Sequence, residues 1–119
     1  EQLDSGKFRL IYASNIINSE YVYLVAELKS RVIGFISLHS QNLLHHCGRV
    51  AEIQEFFIHK DFRNKGIGKM LINEITLISL DKEVRLIEVT SNKKRVENVK
   101  VYERLGFSLS HNKFTKVLK

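Results

Sequence analysis

The chain has 119 residues, which supports one folded domain over residues 1–119 and is too short for two. Hydrophobic residues make up 44% and charged residues 27%, and no apolar stretch is long enough to span a bilayer, so a soluble globular protein without a membrane partner is expected. No export signal is recognisable, and the single Cys47 has no partner for an internal disulfide. The cytoplasm is therefore the expected location.

The net charge of +6 favours an anionic partner. Nucleic acid, acidic lipid and a phosphorylated cofactor all satisfy that condition. The basic residues are spread along the chain, as on a solvated surface, and neither an aromatic platform nor a nucleic-acid-binding motif accompanies them. Nucleic acid is therefore not the expected partner.

The first predicted elements are strands. Two β-branched and aromatic runs, residues 21–28 and 32–38, are separated by three polar residues and predict an antiparallel hairpin. Residues 50–58 predict a third strand and residues 85–90 a fourth.

A helix is predicted between the third and fourth strands, from Gly66 to about Leu80, because apolar residues recur on one of its faces: Ile67, Leu71, Ile75 and Ile78. Such a crossover helix is typical of a parallel strand pair. A second helix, residues 95–105, is predicted to end at Gly106, and residues 107–109 and 113–118 are predicted to return as strands. The fold class is a mixed α/β sheet flanked by helices.

The loop between the third strand and its helix carries the clearest local signal for ligand binding. Gly66 and Gly68 open the helix, whose first amides favour phosphate oxygens, and Arg63 and Lys65 would add charge-assisted hydrogen bonds. The loop is neither a P-loop nor a dinucleotide fingerprint. On these residues alone, an ordinary strand-to-helix turn remains an equal alternative.

The wider pattern resembles the GNAT superfamily of N-acetyltransferases. The loop Arg-x-x-Gly-x-Gly follows an apolar strand, and Thr90-Ser91-Asn92 and then Tyr102-Glu103-Arg104-Leu105-Gly106-Phe107 come after it. Within the superfamily the chain looks like the aminoalkylphosphonate N-acetyltransferases, through several strings: Leu38-His39-x-Gln41, Leu44-His45-His46, Glu52-Ile53-Gln54-Glu55, Asn92-x-Lys94-Arg95 and Phe114-Thr115-Lys116. The resemblance implies the GNAT fold, with a mostly antiparallel sheet.

The GNAT fold usually has another strand and one or two helices before the hairpin, whereas about twenty residues precede Tyr21 here. Either the chain is truncated, or a neighbour supplies the missing strand. The short N-terminal part, with Phe8, Leu10, Ile11 and Tyr12 as its apolar residues, and an exposed sheet edge make a homodimer plausible.

The resemblance also implies acetyl-CoA as the cofactor and assigns the residues that would hold it. Backbone amides of Phe57 and Ile58 would hold the pantetheine arm. The pyrophosphate and the rest of the cofactor wall would involve Arg63, Asn64, Lys65, Gly66, Ile67, Gly68, Lys69, Asn92, Arg95 and Asn98.

Acetyl transfer to an amine needs a base that takes a proton from an ammonium and an acid that protonates the departing thiolate. Glu52 and Tyr102 match the family's base and acid. In a regular strand Glu52 and Glu55 point to opposite faces, so at most one should face the substrate, with Glu55 as the fallback. On position alone, Glu52 could instead be a carboxylate of a strand that faces solvent. Tyr102 could instead be a half-buried aromatic residue of a helix.

Three histidines, His39, His45 and His46, lie close to Glu52 in sequence and could contact the substrate, either by meeting a phosphonate or by ligating a divalent metal. Surface histidines in a loop are an equally good interpretation. The enzymes that this chain resembles are associated with dependence on a divalent metal. A bound metal is therefore an open alternative, with His45 and His46 as its possible ligands.

The leading hypothesis is acetylation of a primary amine on a small molecule, with an aminoalkylphosphonate as the favoured acceptor. Acetylation of a protein or peptide amine is a second hypothesis, and it would need an open groove. A sensor that binds acyl-CoA without turnover is a third, and it predicts that Glu52→Gln leaves binding unchanged.

Overall fold

A computed structural model describes residues 4–91 and 97–119. It contains a four-stranded sheet with strands β1 (Tyr21–Leu28), β2 (Arg31–Leu43), β3 (Gly48–Ile58) and β4 (Val84–Val89) in the order β1-β2-β3-β4. The first two pairings are antiparallel and β3–β4 is parallel. The predicted mixed α/β class, hairpin and crossover are confirmed, although β2 extends five residues beyond its predicted end.

Within the described residues, three α-helices flank this sheet: α1 (Ser5–Ile16), α2 (Ile67–Asp81) and α3 (Glu97–Arg104). The sequence predicted α2 to within a residue at each end. The predicted start of α3 at Arg95 lies outside the described residues. Helix α1 was not predicted as an element; the Asp4 side chain caps it by accepting a hydrogen bond from the Lys7 amide at 3.0 Å.

The hydrophobic core lies between α2 and one face of the sheet. Its buried members come from the sheet and from α2: Ile36, Leu38, Ala51, Ile53, Leu71, Ile72, Ile75 and Val84. Phe56 and Ile58 of β3 and Phe107 after α3 pack against this cluster. Helix α1 lies on the opposite face, where the ring centroid of Tyr12 is 5.5 Å from that of Tyr23 in β1.

The end of α3 is closed by a Schellman motif. Gly106 has a φ of 96°, its amide donates to the Glu103 carbonyl, and the Phe107 amide donates to the Tyr102 carbonyl at 3.0 Å. The predicted stop at Gly106 is therefore confirmed. The two strands predicted after it are wrong, because residues 107–119 form neither helix nor strand. A strand forms only when it pairs with another strand, and residues 107–119 pair with none among residues 4–91 and 97–119.

A β-bulge interrupts β3 at Gln54. Ser37 of β2 pairs with Glu55 and the next residue, Leu38, pairs with Ile53, so Gln54 has no partner in β2. The extra residue changes which face each later side chain occupies. Core positions fall on odd numbers up to Ile53 and on even numbers from Phe56.

Candidate active site

The bulge places Glu52 and Glu55 on the same face of the sheet, so the expectation that they point to opposite faces is wrong. Glu52 pairs with His39 across the strands, and Glu55 pairs with Ser37. His39 and Ser37 are two residues apart in β2 and so point to the same face. The expectation was wrong because it assumed that side chains alternate strictly along β3, which holds only for a strand without a bulge.

We call this side of the sheet the carboxylate face, and it consists of two cross-strand rows. The first row contains Tyr21, His39, Glu52 and Glu88, and the second contains Tyr23, Ser37 and Glu55. Directly opposed residues on neighbouring strands have Cβ atoms roughly 5 Å apart, so the side chains within each row are in reach of one another. The tyrosines, Ser37 and Glu88 were not predicted as site residues; the pairing of the predicted hairpin would have pointed to the tyrosines.

Glu52 is half-buried and held by two polar neighbours. The Gln54 side-chain amide donates to one of its oxygens at 2.9 Å, and the Thr90 hydroxyl donates to the other at 3.3 Å. Thr90 follows the end of β4 directly. The carboxylate is therefore fixed at the point where β3 is bulged and β4 ends.

Glu55 is oriented by Ser37, which is fully buried. The Ser37 hydroxyl donates to a carboxylate oxygen of Glu55 and accepts a hydrogen bond from the Glu55 backbone amide at 3.0 Å. Ser37 thus satisfies an amide at the bulge, where the regular ladder is interrupted. It also fixes the direction of the Glu55 side chain.

His39 packs among aromatic side chains. Its ring stacks on Tyr21 at a centroid distance of 3.8 Å, and its Nε2 lies 3.4 Å from the Tyr23 hydroxyl. His45 and His46 lie instead in a short 3-10 turn at the far end of the β2–β3 hairpin, Leu44–His46. Four residues of strand separate the end of β2 from His39, roughly 13 Å, so these two histidines belong to another part of the surface.

No three or more His, Cys, Asp or Glu side chains within residues 4–91 and 97–119 are grouped so that they could hold a metal ion. His45 and His46 have ring centroids 4.3 Å apart, but two imidazoles alone do not complete a coordination shell. The expectation of a metal at these histidines therefore gains no support.

The parallel pairing of β3 with β4 ends at the bulge. The last paired residues are Ile53 and Val89, whereas β3 continues to Ile58. Over residues 55–58 the backbone is paired with β2 on one side and faces no described strand on the other. The amides and carbonyls of residues 54–58 that point away from β2 are available to an extended ligand with peptide-like groups, apart from the Ile58 carbonyl, which accepts a hydrogen bond from Arg63.

The loop after β3 leads into the N-terminus of α2. Gly66 is the N-cap with a φ of 82°, and it has no side chain that could cap the helix. The first amide bonded within the helix is that of Met70, which donates to the Gly66 carbonyl at 3.1 Å. The amides of Ile67, Gly68 and Lys69 precede it and point out of the helix end, where anions are favoured.

Two glycines lie at this end of the helix. A Cβ added at Gly66 would meet no heavy atom within 4 Å, so the space above it is free. A Cβ at Gly68 would lie 3.2 Å from Cζ of Phe56, which lets the helix approach β3 closely.

The basic side chains of the loop are anchored by its own residues. Arg63 Nε donates to the Ile58 carbonyl at 3.0 Å, and the guanidinium carbon lies 6.0 Å from the Phe57 ring centroid. Lys65 Nζ lies 5.5 Å from the Phe62 ring centroid, while Asn64 takes a left-handed conformation with a φ of 61°. These contacts hold positive charge beside the free amides, an arrangement suited to a diphosphate.

Tyr102 of α3 lies on the side of the sheet that carries α2. Its ring is 6.4 Å from that of Phe56 and 5.9 Å from that of Phe107. Burial raises the pKa of the Tyr102 phenol above its ordinary 10.0, so the group stays protonated at neutral pH. Asn98 lies one helical turn earlier on the same face and is half-buried. Asn92 and Arg95, predicted to line the cofactor wall, lie outside the described residues.

Among the described helices, none combines the length and apolar character that crossing a membrane requires.

The family model for the acetyltransferase (GNAT) domain matches residues 19–109. The chain therefore belongs to the GNAT family, whose acetyltransferases use acetyl-CoA, and it is an N-acetyltransferase. It is 34% identical over 117 residues to the aminoalkylphosphonate N-acetyltransferase of Salmonella typhimurium, an alignment that covers 98% of this chain and 76% of that protein.

Solved structures share the fold. A transcriptional regulator from Bacillus halodurans superimposes with a TM-score of 0.89 at 21% identity, covering 99% of this chain and 81% of that one. AAC(6')-Iy in complex with the bisubstrate analogue CoA-S-monomethyl-acetylneamine gives a TM-score of 0.87 at 17% identity, covering 98% of this chain and 81% of that one. At these identities the likeness establishes the fold alone.

Proposed function

We propose that this chain transfers the acetyl group of acetyl-CoA to the primary amine of a small molecule, with an aminoalkylphosphonate as the acceptor. Residues 1–119 act together as one acetyltransferase domain. Its location is the cytoplasm, which supplies acetyl-CoA and keeps a free thiol such as that of Cys47 reduced. The observation that carries the proposal is the course of β3: the same strand holds Glu52 at its bulge and leads directly into the open N-terminus of α2.

The cofactor is bound along that course. The outward amides and carbonyls of residues 54–58 hold the pantetheine arm, and the free amides of Ile67, Gly68 and Lys69 hold the pyrophosphate. Arg63 and Lys65 add charge, with Asn64 and Gly66 shaping the loop in left-handed conformations. The remaining cofactor wall is assigned to Asn92, Arg95 and Asn98 by their match to the family.

Glu52 is the base. It takes one proton from the ammonium of the acceptor, which frees the nitrogen lone pair to form the new bond to the acetyl carbon. Its two hydrogen bonds, from Gln54 and Thr90, fix the carboxylate beside the place where β3 and β4 part. Glu55, held on the same face by Ser37, provides a second negative charge that attracts the ammonium.

Tyr102 is the acid. When the carbon–sulfur bond breaks, its phenol gives a proton to the departing thiolate, and the phenolate that remains takes up the second proton, which the nitrogen loses as it becomes an amide. The support for this role is its protonated state, since burial raises the pKa of the phenol. Glu52 and Tyr102 lie on opposite sides of the sheet, so both can act on a thioester that passes between the parted strands.

The acceptor class rests on the identity with the Salmonella enzyme and on the carboxylate face. An aminoalkylphosphonate carries an ammonium a few bonds from an anionic group. Glu52 and Glu55 suit the ammonium, and His39, the neighbour of Glu52 in its row, can donate a ring N–H to a phosphonate oxygen. His45 and His46 lie too far along the hairpin to share this site.

The test is CoA release from acetyl-CoA with 2-aminoethylphosphonate, a panel of small amines and a lysine peptide. Wild type is compared with Glu52→Gln and with Glu88→Gln, which removes a carboxylate from the same row on β4. We expect Glu52→Gln to lower kcat/KM for the phosphonate by about 10²- to 10⁴-fold, the range of general-base catalysis, while Glu88→Gln stays near wild type.

Other outcomes discriminate the alternatives. Turnover with the peptide and not with the phosphonate would assign a protein or peptide acceptor. Acetyl-CoA binding that is the same in wild type and Glu52→Gln, without turnover of any amine, would indicate a sensor. Equal losses in Glu52→Gln and Glu88→Gln would refute Glu52 as the base.

A further inference from the structure

A third cross-strand row lies beside the carboxylate face, on the same side of the sheet. Val25 of β1 pairs with Phe35 of β2, and Phe35 pairs with Phe57 of β3. Phe57 is two residues beyond Glu55, so both side chains lie on one side of the sheet, and the two positions are roughly 7 Å apart along the strand. Phe57 is 53% exposed, so this end of the row is open to a ligand.

Arg63 holds a positive charge over the third row. Its guanidinium carbon lies 6.0 Å from the Phe57 ring centroid, and its Nε donates to the Ile58 carbonyl at 3.0 Å. A guanidinium has N–H groups on three nitrogens, and this hydrogen bond uses the one on Nε. Among residues 4–91 and 97–119, no carboxylate forms an ion pair with Arg63. Its two terminal nitrogens are therefore available to an anion.

The carboxylate face contains no arginine or lysine in its two rows. It carries the three carboxylates of Glu52, Glu55 and Glu88, and His39 is the one residue in those rows that can be protonated to a cation. The Nε2 of His39 already lies 3.4 Å from the Tyr23 hydroxyl. An acceptor whose ammonium is held by these carboxylates therefore finds its nearest permanent positive charge at the third row.

Lys65, the other basic residue of the loop between Arg63 and Gly66, is directed elsewhere. Its Nζ lies 5.5 Å from the Phe62 ring centroid, and the guanidinium carbon of Arg31, at the start of β2, lies 5.6 Å from the same centroid. Phe62 belongs to the short 3-10 turn Lys60–Phe62 and to none of the cross-strand rows. Of the two loop cations, Arg63 is thus the one beside the acceptor's side of the sheet.

We propose that the Arg63 guanidinium binds the phosphonate of the acceptor and determines the preference for amines that carry an anionic group. Glu52 and Glu55 hold the ammonium, while the planar guanidinium donates to two phosphonate oxygens at once. The two charged ends of an aminoalkylphosphonate are a few bonds apart, which matches the interval of one row between Glu55 and Phe57. This inference rests on the proposed function and adds a second contact to the acceptor.

The first measurement is a ratio of kcat/KM values at saturating acetyl-CoA. The two acceptors are 2-aminoethylphosphonate and neohexylamine, whose tert-butyl group has the shape of the phosphonate without its charge. Because both use the same cofactor, the ratio removes any effect of a variant on cofactor binding. Arg63→Gln should lower the ratio about 10- to 150-fold, as expected for the loss of a hydrogen bond between charged groups.

Two matched variants control this ratio. Lys65→Gln removes a charge from the same loop and should lower both kcat/KM values equally, through the cofactor, so the ratio stays that of wild type. Arg63→Lys keeps the charge but not the planar pair of donors, and it should give a ratio between those of wild type and Arg63→Gln. Circular dichroism checks that each variant is folded. A ratio in Arg63→Gln equal to that of wild type would overturn the proposal.

The second measurement does not depend on turnover. Calorimetry gives the Kd of 2-aminoethylphosphonate for the protein saturated with CoA, and we expect Arg63→Gln to raise this Kd by a similar factor. Equal Kd values in the two proteins, or no binding by wild type, would also overturn the proposal. Binding that depends on Arg63, without turnover of any amine, would support this contact and refute the proposed reaction. Turnover of both amines with an unchanged ratio would do the reverse.

Discussion

Two glycines in the left-handed conformation allow an effect on cofactor binding at the N-terminus of α2 to be distinguished from an effect on the stability of the protein. Gly66 and Gly106 have φ values of 82° and 96°, and a Cβ added to either would meet no heavy atom within 4 Å. Alanine at either position therefore pays the same kind of backbone cost, about 1–2 kcal/mol, with no steric clash. Thermal unfolding should register both variants alike, with Tm lowered by roughly 4–8 °C per kcal/mol.

Binding should distinguish the two glycine variants. Gly66→Ala changes the loop that aims the free amides of α2, and a charge-assisted hydrogen bond that is lost costs about 1.5–3 kcal/mol. We therefore expect the Kd for CoA, measured by calorimetry, to rise roughly 10- to 150-fold. Gly106→Ala, at the far end of α3, should bind CoA as wild type does. Equal affinities in the two variants would refute the assignment of the pyrophosphate to this loop.

Three further predictions test the acid and the packing. Burial raises the pKa of the Tyr102 phenol above 10.0, so the stability that this phenol contributes is full below that pH and is lost as the pH rises through the raised value. Tyr102→Phe should remove one phenol that titrates above pH 10.0 from an ultraviolet titration, and it should slow CoA release. Ser37→Ala leaves a part-buried amide without its partner and should lower the free energy of unfolding by about 1–3 kcal/mol, whereas Ser79→Ala, at a buried hydroxyl with no partner among the described residues, should be near neutral. Ile75→Ala, at a fully buried position, should cost about 2–5 kcal/mol in denaturant unfolding, and Leu77→Ala, two residues along the same helix but 62% exposed, much less.

The parts of the fold that the sequence predicted well are those with strong periodicity and local end signals. Helix α2 has an apolar residue on every turn of one face, and Gly106 alone is enough to predict the end of α3. Helix α1 was missed because its apolar residues follow no helical stripe and none of them is buried. Its one clear signal was the capping aspartate, Asp4.

The errors at the site and at the C-terminus have a different origin. The face of Glu55 depended on a bulge, and a bulge follows from pairing between strands that are distant in sequence. The strands predicted after α3 failed for a related reason: residues 113–118 have strand-forming side chains, but a strand needs a partner that the sequence does not identify. Local sequence patterns predict helices and strands. The pairing between strands decides which face of the sheet each side chain occupies, and whether a segment at the edge of the sheet becomes a strand at all.

The bulge at Gln54 has a consequence for how β3 tolerates mutation. A scan of every substitution along the strand should find polar residues poorly tolerated at Ala51 and Ile53, and then at Phe56 and Ile58. The sensitive positions thus change from odd to even residue numbers at the bulge, and the carboxylate positions Glu52 and Glu55 lie between them. Deleting Gln54 would make Ile53 and Glu55 direct neighbours, so β3 would alternate regularly while Glu52 and Glu55 kept their common face and Phe56 and Ile58 stayed on the core side. A single-residue deletion at this point is therefore expected to be less damaging to the core than the deletion of Ala51 or Ile53, each of which removes a core residue.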